Sequence, residues 1–204
     1  MTSAPGPAAW QNPTAWQGGP AAELLDRAVA YTAGCLALVG DGTAGLDRRT
    51  PCRGWTLKDL LLHLDDSLAA LTEAAGAPVL SLVPVPRPAE PGVLLSGLRQ
   101  RACALVAQWM RPASPVVRLG SATLSRETLG AVGALEITLH GWDVAETVGL
   151  PRPIPATLAM DLWPVARDHI TEDDRPTRFG RPLGVGDADP PAVRLLAHAG
   201  RRAL

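Results

Sequence analysis

Lysine is almost missing from these 204 residues: Lys58 stands alone among 19 basic side chains, set against 20 acidic ones, for a formal net charge of −1. A balance so near zero provides no overall field to draw in nucleic acid or an anionic membrane surface. No apolar run approaches the roughly 18 residues of a membrane-spanning helix. The opening MTSAPGPAAW lacks the basic start and apolar stretch of a secretory signal. Cysteine is scarce. Cys35, Cys52 and Cys103 are widely spaced and form no C-x-x-C pair, which argues against a disulfide framework and against a cysteine-ligated zinc knuckle. A reducing cytoplasm is the simplest expectation for location. No activating context surrounds the three cysteines, so they read as small buried hydrophobes rather than nucleophiles. Convincing period-two alternation is also absent, and only the crossover RPASPVVRLGSATLS has room for a short strand or extended piece.

What is abundant is alanine, glycine and proline, with 20 glycines and 20 prolines. That bias, with the near-loss of lysine, is typical of very GC-rich genomes, which include those of many actinobacteria. Residues 1–20 are rich in all three and contain the echo AAWQ and TAWQ. They read as a flexible tail. The alternatives for Trp10 and Trp16 are docking on the domain or on a second subunit of a homodimer. Residues 21–204 then form one domain, opening with a helical pattern from Ala21 to Val39. RRTPCRGW is a turn, since Pro51 and Gly54 oppose helix. A second helix starts at Thr56, which with Asp59 gives a capping signal, and continues to about Ala75. Residues 82–91 are a proline-rich loop, and a third helix spans about Gly92 to Met110. Ser125 is the N-cap of a fourth that stops at Gly149. A fifth covers about Ala156 to Ile170, bent at Pro164, and Asp189-Pro190 caps a short last one. The fold class is all-α, a four-helix bundle with additional short C-terminal helices.

The fourth helix carries an unusual line of residues. At about 100° per residue, with Glu136 as zero, His140 falls at about 40°, Asp143 at about 340° and Thr147 at about 20°. Ile137, Val144 and Val148 flank this stripe on one side; Leu135, Leu139 and Trp142 flank it on the other. A surface helix has one apolar face and one solvated face. A polar line bracketed by apolar residues points inward, and a buried carboxylate there needs a counter-charge or a metal.

Glu136 and His140, four apart, can face one metal, and the third ligand must come from another helix. His63 is the natural candidate, because it sits at the edge of the apolar face of helix two beside Ser67, Ala70 and Thr56, whose small side chains leave space. Two histidines and a glutamate form a familiar catalytic zinc set; iron(II), nickel and manganese accept the same donors. The residues alone leave open a structural histidine and a surface i,i+4 pair. Asp143 has three readings: an acceptor orienting a ligand histidine, a substrate contact, or a salt bridge to an arginine. Trp55 and Trp142 are expected to close the core on either side of the site. His169 and His198 read as solvated or capping residues.

RTPCRGWTLKDLLLHL, followed about 70 residues on by ALEITLHGWDVAETVG, resembles the DinB-like, mycothiol-dependent maleylpyruvate isomerase family. Its pattern is T-P-C-x-G-W, a helix bearing His, then E-x-x-x-H-G-W-D. The terminal VRLLAHAGRRAL resembles the closing L-L-A-x-x-G-R of the group. The resemblance runs from about residue 22 to 204. It implies a DinB-like four-helix bundle with a divalent metal, usually zinc, on His63, Glu136 and His140. Asp143 matches a polar residue near the thiol site. It is the candidate catalytic residue and, with Trp142, the expected contact to the thiol cofactor. The isomerase proper has a further C-terminal domain that this chain does not match, so its substrate is not carried over. The expected activity is metal activation of mycothiol, a low-molecular-weight thiol, toward an electrophilic small molecule, by S-transfer or by thiol-assisted isomerisation, in a setting such as a natural-product pathway. A metal-binding module without catalysis and a hydrolase using bound water are the two alternatives.

Overall fold

In a computed structural model the residues described are 19–40, 45–77, 91–119, 121–175 and 177–202. Six α-helices and one hairpin occur among them: α1 (Gly19–Leu36), α2 (Leu57–Gly76), α3 (Pro91–Trp109), β1 (Val116–Leu119), β2 (Ala122–Ser125), α4 (Arg126–Thr147), α5 (Ala156–His169) and α6 (Pro191–His198). The fold is all-α, with α1 to α4 as the bundle. None of these helices is long and apolar enough to cross a membrane.

Local chemistry sets the helix ends. Thr56 Oγ1 accepts from Asp59 N (3.3 Å) while an Asp59 oxygen accepts from Thr56 N (2.9 Å), so α2 begins with a complete capping box. Ser125 Oγ accepts from Thr128 N (2.9 Å) at the start of α4. At the other end Gly149 adopts φ +75°. Gly149 N donates to Glu146 O and Leu150 N to Ala145 O, a Schellman closure that a Cβ would strain.

Helix directions follow from a few contacts. Ala21 N donates to Glu127 and Thr32 Oγ1 to the carbonyl of Ile137, so α1 and α4 run parallel. Asp65 pairs with Arg101, and Trp109 Nε1 donates to Leu71 O, so α2 and α3 also run parallel. His63 of α2 meets Glu136, whereas Leu71 lies over Gly133, so α2 opposes α4. The bundle is thus up, down, down, up.

Glycines let α4 sit deep among its neighbours. A Cβ at Gly130 would lie 2.6 Å from the Trp109 ring, at Gly133 2.6 Å from Leu71, and at Gly141 2.5 Å from Thr32 Oγ1. This close approach leaves His140, Trp142, Asp143, Val144 and Ala145 buried in succession. α5 caps the bundle through Leu158 and Leu162, with Ile154 just before it also buried and Arg27 to Asp161 (2.6 Å) tying it to α1. α6 packs on α5, where His198 Nε2 lies 3.2 Å from the carbonyl of Ala166 in the last turn.

The structure adds detail to several expectations and corrects others. The crossover is a true antiparallel hairpin, pairing Val116 with Ser125 and Leu119 with Ala122. Val117 is its buried anchor, too little to produce a readable alternation. Asp189 does not cap α6. Its carboxylate accepts from Gly186 N (2.7 Å) to close a turn, and Pro190, with no side-chain acceptor, takes the cap position. α1 begins at Gly19, and Ala21 and Ala22 are already in the core. α5 continues through Pro164, which with Met160 is solvent-facing, so the carbonyl freed by the missing N–H can be hydrated. Cys35 is buried as expected, but Cys103 is exposed and Cys52 half-buried. Trp10, Trp16 and residues 82–90 of the proline-rich loop lie outside the described residues.

Gly141 offers a test of this packing. Alanine favours helix by about 1 kcal/mol over glycine, yet its Cβ would meet Thr32 Oγ1 at 2.5 Å and the Thr32 backbone at 3.1 Å. Thr32 is itself tied to Ile137, so it cannot simply rotate away. Sterics win, and Gly141→Ala is expected to lower the unfolding free energy by about 1–3 kcal/mol in urea denaturation. A stabilised variant would show that α1 and α4 are not so closely apposed.

Candidate metal centre

The inward line on α4 is graded in exposure. The Glu136 side chain is 31% exposed, His140 9% and Asp143 0%. Thr147 does not extend the line into the site, since its hydroxyl donates back to Asp143 O (2.7 Å). Across from the line stand residues from three other parts of the chain.

The first is His63 on α2, with Nε2 2.6 Å from Glu136 Oε1. The same Oε1 lies 3.2 Å from His140 Nε2, so one carboxylate oxygen sits between two imidazoles. The second is the turn TPCRGW. Trp55 N donates to Cys52 O, Thr50 N to Trp55 O, and Cys52 N to the Thr50 hydroxyl, while Gly54 takes φ +83°. This closure faces both Trp55 and Cys52 toward α4. The Trp55 ring lies 4.8 Å from that of His63 and 6.0 Å from that of His140, stacked on the latter. Cys52 Sγ donates to Asp143 Oδ2 (3.1 Å) and lies 3.7 Å from His140 Nδ1.

The third contributor is Arg201, just past α6. Its Nε donates to Asp143 Oδ1 (2.9 Å) and its Nη2 to Oδ2 (2.7 Å), a two-point bond to a carboxylate with no exposed surface. Asp143 Oδ2 also lies 2.9 Å from His140 Nδ1. Of the three readings for Asp143, the geometry shows two together, the arginine pair and the contact to His140. Trp142 packs in the core at 3% exposure, and the tryptophan with its ring against both histidines is Trp55. His169 is solvent-exposed, and His198 binds the end of α5.

The electrostatics follow from these contacts. Burial alone would raise the Glu136 carboxyl, but its bonds to His140 and His63 hold it far below the usual carboxylate range. Burial would likewise raise Asp143, and the Arg201 charge with the His140 bond carries it far below. Burial works against an imidazolium at His140, yet Asp143, Cys52 and Glu136 outweigh it and raise its pKa. Without metal, His140 is thus the proton-carrying bridge between two carboxylates.

Two clusters of metal-type donors occur among the described residues, each with ligand atoms within 4.8 Å of one another: His63, Glu136 and His140; and Cys52, His140 and Asp143. They share His140 through opposite ring nitrogens. Arg201 separates them. Its guanidinium lies 2.7 Å from Asp143 Oδ2 and 3.8 Å from Cys52 Sγ, so a cation in the second cluster would face a fixed positive charge. Like unit charges at about 4 Å repel by about 4 kcal/mol at an effective dielectric constant of about 20, and a dication doubles that. In the first cluster the donors converge with no cation among them, and two imidazoles with a carboxylate suit a divalent ion. These residues fit such an ion.

Sequence reasoning missed Cys52 and Arg201 as members of this site. Both lie in quoted motifs, T-P-C-x-G-W and L-L-A-x-x-G-R, but their partners on α4 are 91 and 58 residues away. No local periodicity signals such pairings.

The family model for the mycothiol maleylpyruvate isomerase N-terminal domain matches residues 25–145, more than half of the chain. This chain belongs to that family, which is DinB-like. The match takes in Cys52, His63, Glu136, His140 and Asp143 and stops before α5, α6 and Arg201. No curated protein and no solved structure matches.

Removing the charge of Asp143 leaves Arg201 buried and unpaired, which typically costs about 3–5 kcal/mol. Asp143→Asn should show a loss of that order in denaturant unfolding of the metal-free protein; a loss below about 1 kcal/mol would mean the pair is solvated. The pH dependence has a definite sign. Glu136 and Asp143, with depressed folded pKa values, add stability above their ordinary range near 4, lost as pH falls through the folded values. His140, with a raised folded value, adds stability that is complete below about 6.5 and is lost as pH rises through the folded value. Metal-free protein should therefore weaken on acidification below about pH 4, less steeply in Asp143→Asn.

Proposed function

We propose that this chain is a metal-dependent enzyme that uses mycothiol, acting in the cytoplasm on an electrophilic small molecule. The observation that supports it most is the convergence of His63 Nε2, Glu136 Oε1 and His140 Nε2 on the more open side of the helix pair, with a second carboxylate fixed behind His140. Membership of a family named for a mycothiol-using isomerase directs the choice of thiol. Bound to these three residues, a divalent ion such as zinc would retain a net charge of +1 and lower the pKa of a coordinated thiol, favouring the thiolate near neutral pH.

The protein's own residues do the rest. His63 and Glu136, about one-third exposed, form the accessible rim through which thiol and electrophile approach. Trp55 supplies an apolar wall against both imidazoles. As a ligand, His140 would bind through a deprotonated Nε2 with its Nδ1 still bonded to Asp143. Asp143 acts through His140. Its charge is already cancelled by Arg201, so it does not reduce the positive charge at the ligand cluster. Trp142 packs in the core beside Asp143 on α4. Thiolate addition then leads to a stable S-conjugate, or to addition, bond rotation and elimination of the thiol, a cis–trans isomerisation.

The test is metal content followed by thiol titration. Purified protein should bind one zinc ion per chain, and His63→Ala, Glu136→Ala and His140→Ala should each lose most of it. Mycothiol added to the zinc protein should release about one proton per thiol bound, and turnover of reactive electrophiles should require that thiol. Full turnover without thiol would replace the reading with metal-activated water. Proton release without turnover across a panel of electrophiles would leave a binding module. Unchanged zinc in all three variants would remove the ligand assignment.

A further inference from the structure

We propose that Arg201 is a positioning residue of the metal centre: by gripping both oxygens of Asp143 it fixes the His140 ring so that Nε2 faces Glu136 and His63. The proposal rests on the reading of those three residues as ligands and adds a residue from a part of the chain beyond the family match.

The geometry forms one continuous series. Arg201 Nε and Nη2 hold Asp143 Oδ1 and Oδ2 at 2.9 and 2.7 Å. Asp143 Oδ2 lies 2.9 Å from His140 Nδ1, and His140 Nε2 lies 3.2 Å from Glu136 Oε1, which lies 2.6 Å from His63 Nε2. An imidazole turns freely about its ring bond unless one nitrogen is held. Here the holding group is a carboxylate that would itself rotate without the two-point bond. Arg201 is thus the fixed end of the series.

The end of α6 is built to aim this side chain inward. Gly200 N donates to Ala197 O and Arg201 N to Leu196 O, a Schellman closure that needs the φ of +73° found at Gly200. Gly200 also crosses the backbone of Gly180, where a Cβ would lie 2.5 Å from the Gly180 carbonyl carbon. Leu183 N donates to Ala197 O, and Arg175 donates to the carbonyls of His198 and Gly180. Glycine turns the chain and the next residue enters the core, which gives L-L-A-x-x-G-R a physical reason. The same guanidinium keeps a cation out of the Cys52, His140 and Asp143 cluster.

Lysine keeps the charge but lacks the planar fork, so Arg201→Lys separates positioning from neutralisation. Zinc affinity is read by competition with a chelator, beside metal-free melting curves. Arg101→Lys, which weakens the other buried carboxylate–arginine pair at Asp65, controls for general destabilisation. Arg201→Lys is expected to bind zinc about 10- to 100-fold more weakly, with an altered visible spectrum when cobalt replaces zinc; Arg101→Lys should match wild type in both. Wild-type affinity in Arg201→Lys, with His140→Ala impaired, overturns the positioning role and leaves the ligand assignment standing. An equal loss in Arg101→Lys overturns it too. Wild-type affinity in His140→Ala removes the ligand assignment and the proposal with it. Should Arg201→Lys fail to fold, the neutral pair Asp143→Asn with Arg201→Gln is read in the same way, since it leaves no buried charge alone.

Discussion

A carboxylate with no exposed surface, placed three residues after a histidine on the central helix, is the constraint from which the rest of the site follows. Asp143 is tolerable there only because a guanidinium meets both of its oxygens. That requirement is met by the segment just after α6, where a tight glycine closure turns Arg201 into the core. Cys52 completes the shell of Asp143, so the turn after α1, the middle of α4 and the segment after α6 all meet at one carboxylate. Removing this meeting point would release three segments at once.

The bundle's packing makes such a site feasible. Glycines at 130, 133 and 141 let neighbouring helices approach α4 closely, so polar residues on it are shielded without a large cavity. Exposure falls along α4 from Glu136 to His140 to Asp143, so the line runs from an accessible rim to a closed interior. Two donor clusters share His140, and the Arg201 guanidinium lies against the one on the Nδ1 side, where its charge would oppose a cation.

Much of this was legible in the sequence, for identifiable reasons. The polar stripe on α4 could be read from helical periodicity, and the caps at Thr56 and Ser125 from spacing over three or four residues. His63 was singled out by its small neighbours, and the structure does bring it against Glu136. What escaped were pairings set by tertiary contact. Cys52 reads as an inert hydrophobe because its partners are distant in the chain, and nothing local to Arg201 points to a carboxylate 58 residues away. The hairpin was hard to see because Val117 is the residue it buries. Asp189 misled because an aspartate before proline suits a turn as well as a cap, and here Gly186 takes its carboxylate.

The central claim is that a metal is held by two imidazoles and a carboxylate, with an external thiol as the sulfur donor. X-ray absorption of the zinc-loaded protein, before and after adding mycothiol, tests it most directly, because zinc–sulfur distances of about 2.3 Å stand apart from zinc–nitrogen and zinc–oxygen distances of about 2.0–2.2 Å. The account predicts nitrogen and oxygen neighbours alone before the thiol is added, and one sulfur per zinc afterwards. A sulfur neighbour already present without thiol would put the ion at Cys52, and no sulfur after thiol addition would contradict thiol activation at this centre.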